Sequence, residues 1–462
     1  MGVNFSAFEI GRRALHASQF GLAVTGQNIA NVNTKGYTRQ GAILVSAPST
    51  GTSRLQIGTG VSILGIQQFR DRFVDSRLQT EIGISGRLTA QRDALSPVDA
   101  AFNESDGNGI SASINDFFGA FRSLEANPVS IPLRTDVIAK ANAMTSAFST
   151  TRARLVEIRS DSDAQLRSEV DQLNVLSQQV ADLNVRISTA ENGGGNAAEL
   201  RDQRDQLVNQ VSELTGARAI ETAEGMVTLT LADGHALVSG DHFTAVQIQD
   251  SVPDGLASLT ISGQPAVIGD GRLRGLQNAL GTIGGQIQSL DDLAASITSR
   301  VNTLHTSGTD AYGNTSANFF QVPSSGPVTA ANFSVAANIK VDPRLIAASP
   351  LPSGSASATV AGAIAELLND PTSTAGSRTG SFSSIYSSIV SDAGKDLRTV
   401  EDGLVTQQAI MSQALAQRDA TSGVSLDEEA INLLQFQKSY EAAARFLKIA
   451  DEMTQTIMAL GS

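Results

Sequence analysis

The chain has 462 residues and 41% hydrophobic content, enough for several packed domains, but only 5% aromatic content and no Trp, so its cores must rest largely on Leu, Ile, Val and Ala. A net charge of −13 argues against nucleic-acid or anionic-membrane partners, because both recruit basic surfaces. With no cysteine, disulfides, thiol nucleophiles and cysteine-based metal sites are excluded.

Residues 5–30 read as a helix. Phe8, Leu15, Leu22 and Ile29 recur at a spacing of seven, and Phe5 fits the companion position of the seam. Ala7, Ala14 and Gly21 form a small-residue row beside them that lets a partner helix approach closely. Glu9, Arg12 and Arg13 interrupt any apolar leader core, so no secretory signal is read here. No apolar run approaches the length of a membrane-spanning helix. The stretch "IANVNTKGY" at 29–37 is a helix exit. Asn31 and Asn33 tolerate turn conformations, Gly36 frees φ, and Tyr37 opens the extended run "YTRQGAILVSA".

A long helical pattern covers about 133–191, with Leu166, Leu173, Val180 and Ile187 in one row and Leu176, Leu183 and Ala190 in the next. The glycines of "NGGGN" stop it. "AAELRDQRDQLVNQVSEL" then returns as an antiparallel helix, whose alternating charges read as i to i+4 pairing on a solvated face. Residues 217–272 alternate apolar and polar around an Asp-Gly turn in "MVTLTLADGHALVSG", a hairpin signal. The helical period returns over 273–305. A Ser/Thr/Ala/Gly/Pro-rich stretch follows, with one strand candidate at "FSVAANIKV", and helices resume near 361 and run to 422.

The last helix opens with Ser425 as N-cap and Glu428 three residues on, completing a capping box. Leu433, Tyr440 and Leu447 form one seven-spaced row, and Phe436, Ala443, Ala450 and Ile457 a second. Together they read as a seam for a partner helix. The fold class is therefore mainly α with a β insert (α+β), elongated and nested. Residues 1–36 with 424–462 make a terminal helical domain whose paired helices form a coiled-coil-like bundle. Residues 37–216 with 273–423 make a helical body with minor β, and 217–272 a β-rich outer insert. Isolated stripes of this kind are marginal in water, so both termini are expected to be disordered in the monomer and to fold on assembly.

Little in the sequence points to catalysis. His16, His235, His242 and His305 have no ligand-like spacing, and His235 and His242 read as surface residues. "GDGRLRG" at 269–275 reads as a turn, and "LDEEA" as helix capping rather than a calcium loop. No nucleophile–base motif is present, so the reading has no enzyme activity, no catalytic residue, no metal and no cofactor.

Taken together, "GLAVTGQNIANVNTKGYTRQ" at 21–40, "ELRDQRDQLVNQVSELTG" at 199–216, "GNTSANFF" at 313–320 and "SGVSLDEEAINLLQFQKSYEAAARFLKIADEM" at 422–453 resemble the hook-associated, junction-forming members of the bacterial flagellar axial family (rod, hook and hook-associated proteins). In that family, residues matching Ala30, Asn31, Thr34, Gly36 and Tyr37 close the first helix. The acidic "SGV-LDEE" opening sets the chain apart from hook and rod proteins. The resemblance implies a non-enzymatic ring between hook and filament, outside the cell, exported through the flagellar type III channel without a cleaved leader. It implies as partners further copies of the chain, the hook protein, a second junction protein, and a cytoplasmic export chaperone on the C-terminal helix. Nucleic-acid binding and membrane insertion are not expected. The rival readings are another axial protein (hook or distal rod), a wall-acting enzyme on an axial scaffold, which needs a carboxylate dyad or metal site within 217–360, and a cytoplasmic coiled-coil scaffold.

Overall fold

The computed structural model describes residues 2–52, 55–102, 109–193, 195–222, 224–250, 257–350 and 359–460. Helix α1 (Gly2–Ala30) leads into β1 (Gln40–Ser46), a small β2–β3 hairpin (Thr50–Thr52, Leu55–Ile57) and β4 (Val61–Gln68). Strands β1 and β4 pair antiparallel from Gln40 opposite Gln68 to Ser46 opposite Val61, with a bulge that leaves Leu64 unpaired. Three helices follow: α2 (Arg72–Phe102), α3 (Ile110–Ala126) and α4 (Ile131–Asn192). α4 is one helix of 62 residues, its ends within two residues of the expected 133–191, and about 93 Å end to end if straight. Ser130 caps its start, with Pro132 in the first turn.

α5 (Ala198–Thr215) returns antiparallel along α4, as the bonds of Arg201 to Glu191 and of Arg204 to Asn184 show. It ends on Gly216 at φ 64°, a left-handed C-cap. Two antiparallel meanders come next. The first is β5 (Arg218–Glu221), β6 (Val227–Thr230), β7 (Ala236–Ser239) and β8 (His242–Phe243). The second is β9 (Val246–Asp250), β10 (Ala257–Ile261) and β11 (Gln264–Pro265). Both lie against the second half of α4, where Asn174 and Asn184 exchange hydrogen bonds with the backbones of Val246 and Val227.

α6 (Gly271–Thr306), capped by Asp270, runs beside α2 and α4. The chain then passes through β12 (Gly308–Thr309), α7 (Ala337–Val341), β13 (Ser349–Pro350), α8 (Val360–Glu366) and the β14–β15 pair (Thr374–Ala375, Arg378–Thr379). α9 (Phe382–Ser422) packs along α2, and α10 (Leu426–Leu460) along α1. "FSVAANIKV" is not a strand. Only Val335 bridges, to Phe320, and the chain then coils into α7. Its alternation buries Phe333, Val335 and Ile339 without a ladder.

One continuous core runs through the helical body and on into the 217–272 meanders, through Leu229, Leu237, Val238 and Leu259. Residues Ile110, Ile114, Phe117, Phe118, Phe121 and Leu124 fall at helical spacing on α3, and all are buried. The Phe117 ring meets Phe118, Phe121, Phe319 and Phe320 at centroid distances of 5.0, 5.2, 5.8 and 5.5 Å. His305 is buried among them. Its Nδ1 lies 2.6 Å from the Ala317 carbonyl, and its Nε2 accepts from the Ala347 N–H at 2.9 Å. His235 and His242 pair with Asp233 and Asp241 in turns, and no group that could hold a metal occurs among the described residues.

Candidate assembly site at the joined termini

α1 and α10 run antiparallel, with Gly11 against Leu447 and Gly21 against Phe436. Packing here is by knobs into small-residue holes. A Cβ at Gly11 would come within 2.7 Å of Leu447 Cγ, and one at Gly21 within 2.4 Å of the Phe436 ring. The partner-facing row of α1 is Gly11, Ala14, Ser18, Gly21, Thr25 and Asn28, in steps of three and four. Ala14 and Gly21 belong to the small-residue row expected to admit a partner helix, whereas the large-residue seam expected at Phe8, Leu15, Leu22 and Ile29 lies one residue away. Phe8 remains exposed, and Leu15, Leu22 and Ile29 are half-buried. Phe5 lies outside the residues whose side chains are described. Close approach selects the smallest residues, whereas an apolar periodicity picks the largest.

On α10, Leu433, Phe436, Tyr440 and Leu447 are half-buried and Ala443 and Ala450 buried, all in one stripe. Ile457 is 53% exposed and belongs instead to a second, open stripe with Ile431, Leu434, Phe446, Ile449 and Met453. Ser425 Oγ accepts from the Glu428 N–H at 3.5 Å, but the Glu428 carboxylate turns away from the cap to Arg39, at 2.6 Å. The capping box is therefore only half formed.

Where α1 ends, a buried polar clasp joins both termini to the body. Asn28 and Glu429 are each 1% exposed. Asn28 Nδ2 donates to the Gln40 carbonyl at 2.8 Å and to Glu429 at 3.1 Å, while its Oδ1 accepts from Tyr37 Oη at 2.8 Å and the Gln40 N–H at 3.0 Å. All four hydrogen-bonding positions of this amide are used. Arg39 Nε donates to Glu429 at 2.9 Å, and the guanidinium lies 5.1 Å from the Phe69 ring centroid. Burial, with Asp202, Glu429 and Glu199 nearby, pushes the Tyr37 hydroxyl up to about 12, so it stays a donor. Within the exit motif, Asn31 caps back onto Gln27, Thr34 donates to Asn31, and Gly36 sits at φ 85° against Gln206. Ala30 ends α1 and stays exposed.

The "ELRDQRDQL" helix is the body's side of this joint, not a solvated face. Asp202 accepts from the Thr38 N–H at 3.1 Å and from Gln68 at 2.8 Å, Gln206 donates to the Lys35 carbonyl, and Asp205 pairs with Arg70. Burial raises the Asp202 carboxyl above its ordinary value in spite of these donors. The other face of the same helix serves the sheet. Arg201 pairs with Glu191 and Glu221, and the buried Arg204 donates to Asn184 and to the Gly225 carbonyl. A cavity of about 460 Å³ between β4, α2, α5 and β5 is lined by four arginines and four carboxylates, Arg70, Arg72, Arg201 and Arg204 against Asp75, Glu191, Asp205 and Glu221. Its formal charges are matched, and burial pushes the Asp205 carboxyl up to about 6 in spite of Arg70 and Arg204.

Asn28, Arg39, Gln40, Asp202 and Glu429 are absent from the residues singled out by periodicity. The signal that could have found them is a lone Asn on the apolar face of a helix, and an acidic residue in a first turn that also carries the seam.

Three family profiles match the chain. "Flagellar hook-associated protein FlgK helical domain" covers residues 95–320, "Flagella basal body rod protein" 8–38, and "Flagellar basal body rod FlgEFG protein C-terminal" 416–460. Curated relatives carry the name flagellar hook-associated protein 1. The Bacillus subtilis protein is 27% identical, covering 99% of this chain and 98% of its own length. The Escherichia coli protein is 25% identical over 96% and 97%, and the Salmonella typhimurium protein 27% over 96% and 98%. Among solved structures, the flagellar hook junction protein FlgK from Burkholderia pseudomallei shares the fold, with a TM-score of 0.64 and 16% identity over 76% of this chain and 100% of that one.

Proposed function

Because the chain belongs to the flagellar hook-associated protein 1 family, we propose that it is a structural junction component of the bacterial flagellum, polymerising as a ring that adapts hook to filament. The observation that carries this reading is the α1–α10 pair. It joins both chain ends into one element and leaves the stripe of Ile431, Leu434, Phe446, Ile449, Met453 and Ile457 uncovered on α10. Each such side chain gains roughly 1.5–3 kcal/mol when fully buried, so the stripe favours a partner. In the assembly that partner is a neighbouring copy. Before export, the same stripe suits a cytoplasmic chaperone. The hook protein and a second junction protein flank the ring, and the chain leaves the cell without a cleaved leader.

No helix of the described residues is long and apolar enough to cross a membrane. Removal of the gene tests the reading: cells should keep hooks, lose filaments and release flagellin to the medium. Restoring a Leu447→Asp chain should not rescue them. Filaments attached normally in either strain would overturn it.

A further inference from the structure

Arg39 spans the bend between α9 and α10. Its backbone N–H donates to the carbonyl of Ser422, the last residue of α9, at 2.9 Å. Its side chain reaches the first turn of α10, with Nε 2.9 Å from Glu429 and Nη1 2.6 Å from Glu428. Only residues 423–425 lie between. The bend is tight, since a Cβ at Gly423 would come within 2.4 Å of the Asp419 carbonyl oxygen. α9 itself is fixed on its own chain, where Gln407 donates to Glu81 of α2 at 2.7 Å.

The seam between α1 and α10, by contrast, carries no mark of ownership. The α10 of a second copy presents the same Phe436 and Leu447 to Gly21 and Gly11. If α9 ran straight on into α10, a neighbour would receive the helix, as when identical elements are exchanged between copies. Arg39 opposes this exchange by geometry. It holds the first turn of α10 beside Ser422, and with three residues between them the two can be neighbours without crowding only if they belong to one chain.

We infer that Arg39 staples the α9–α10 bend shut and so keeps each α10 on the α1 of its own chain rather than on that of a second copy. The inference rests on the junction reading only in taking the α1–α10 pair as the assembling element, and its test needs no flagellum.

The chain has no native cysteine, so Gly11→Cys with Leu447→Cys gives a single engineered pair. Leu447 Cγ lies 2.7 Å from the Cβ position at Gly11, which brings the two Cβ atoms within about 4 Å, the span of a disulfide. An equal mixture of heavy-isotope-labelled and unlabelled full-length protein is oxidised, and the linked peptides are read by mass spectrometry. With Arg39 intact, links should join peptides of one label only. With Arg39→Ala, mixed-label links should rise severalfold, toward the roughly one half that random pairing of an equal mixture gives. Arg39→Lys, which keeps charge but loses the fork, should lie between. Mixed links at the same share with Arg39 intact overturn the inference. So does the absence of a rise in both variants, whether links stay within chains or disappear.

Discussion

Around Phe117, four other phenylalanine rings close within 6 Å, and buried side chains continue from there through α2, α4, α6 and α9 without a break. Along α1 the partner-facing positions are glycine, alanine, serine and threonine, and among the described residues no side chain of α1 or α10 joins that core. One region is held by apolar volume. The other is held by close backbone approach and one buried polar clasp, with part of its apolar surface still open. The difference separates a body with its own continuous core from a helix pair that leaves an apolar stripe of α10 open.

Phe117→Ala should break the body first. Truncating a fully buried ring costs about 3–5 kcal/mol, read as a lowered denaturation midpoint. An unchanged midpoint would remove the basis of the contrast. Next in size is acid. Burial holds the His305 pKa down at about 4, against about 6.5 in an unfolded chain. Between those values the unfolded chain binds a proton that the folded body refuses. The contribution is therefore complete above the unfolded value and is lost as pH falls toward 4, up to about 3 kcal/mol. Urea unfolding at pH 7 and at pH 4.5 measures it, and His305→Gln should flatten that slope.

A third change probes the other region. Gly21→Leu puts a side chain where the Phe436 ring already sits and should cost the helix pair about 1–3 kcal/mol. In the assembled form, hydrogen exchange should quicken across α1 and α10 while the body's midpoint stays put. A midpoint that shifts in step would show the two regions to be one cooperative unit. The smallest effect belongs to Ser425→Ala, which removes a long cap bond and should fray the start of α10 by no more than about 1 kcal/mol, seen in the exchange of its first-turn amides.

Much of this architecture is legible in the residue pattern because local rules govern it. The period of α4, the Asp-Gly hairpin at 233–234 and the C-terminal stripe all follow from spacing and turn chemistry. α2 escapes because the buried face of its first half includes Gly83 and Gly86, which pack against the α5 end and interrupt the apolar rhythm. On α1 the large-residue seam is one residue out of phase, while the small-residue row of Ala14 and Gly21 marks the close approach. The joint itself is invisible locally. Asp202 looks solvated until Thr38 and Gln68, more than 130 residues earlier in the chain, donate to it.

The length of α4 makes this joint mechanically sensitive. Its last turn, at Glu191, is tied by Arg201 to α5, the helix that receives the termini. A tilt of about 10° at that end swings the opposite tip through roughly 16 Å. Small angular differences in the seating of α5 on the paired ends are thus magnified into large displacements of the far end of α4.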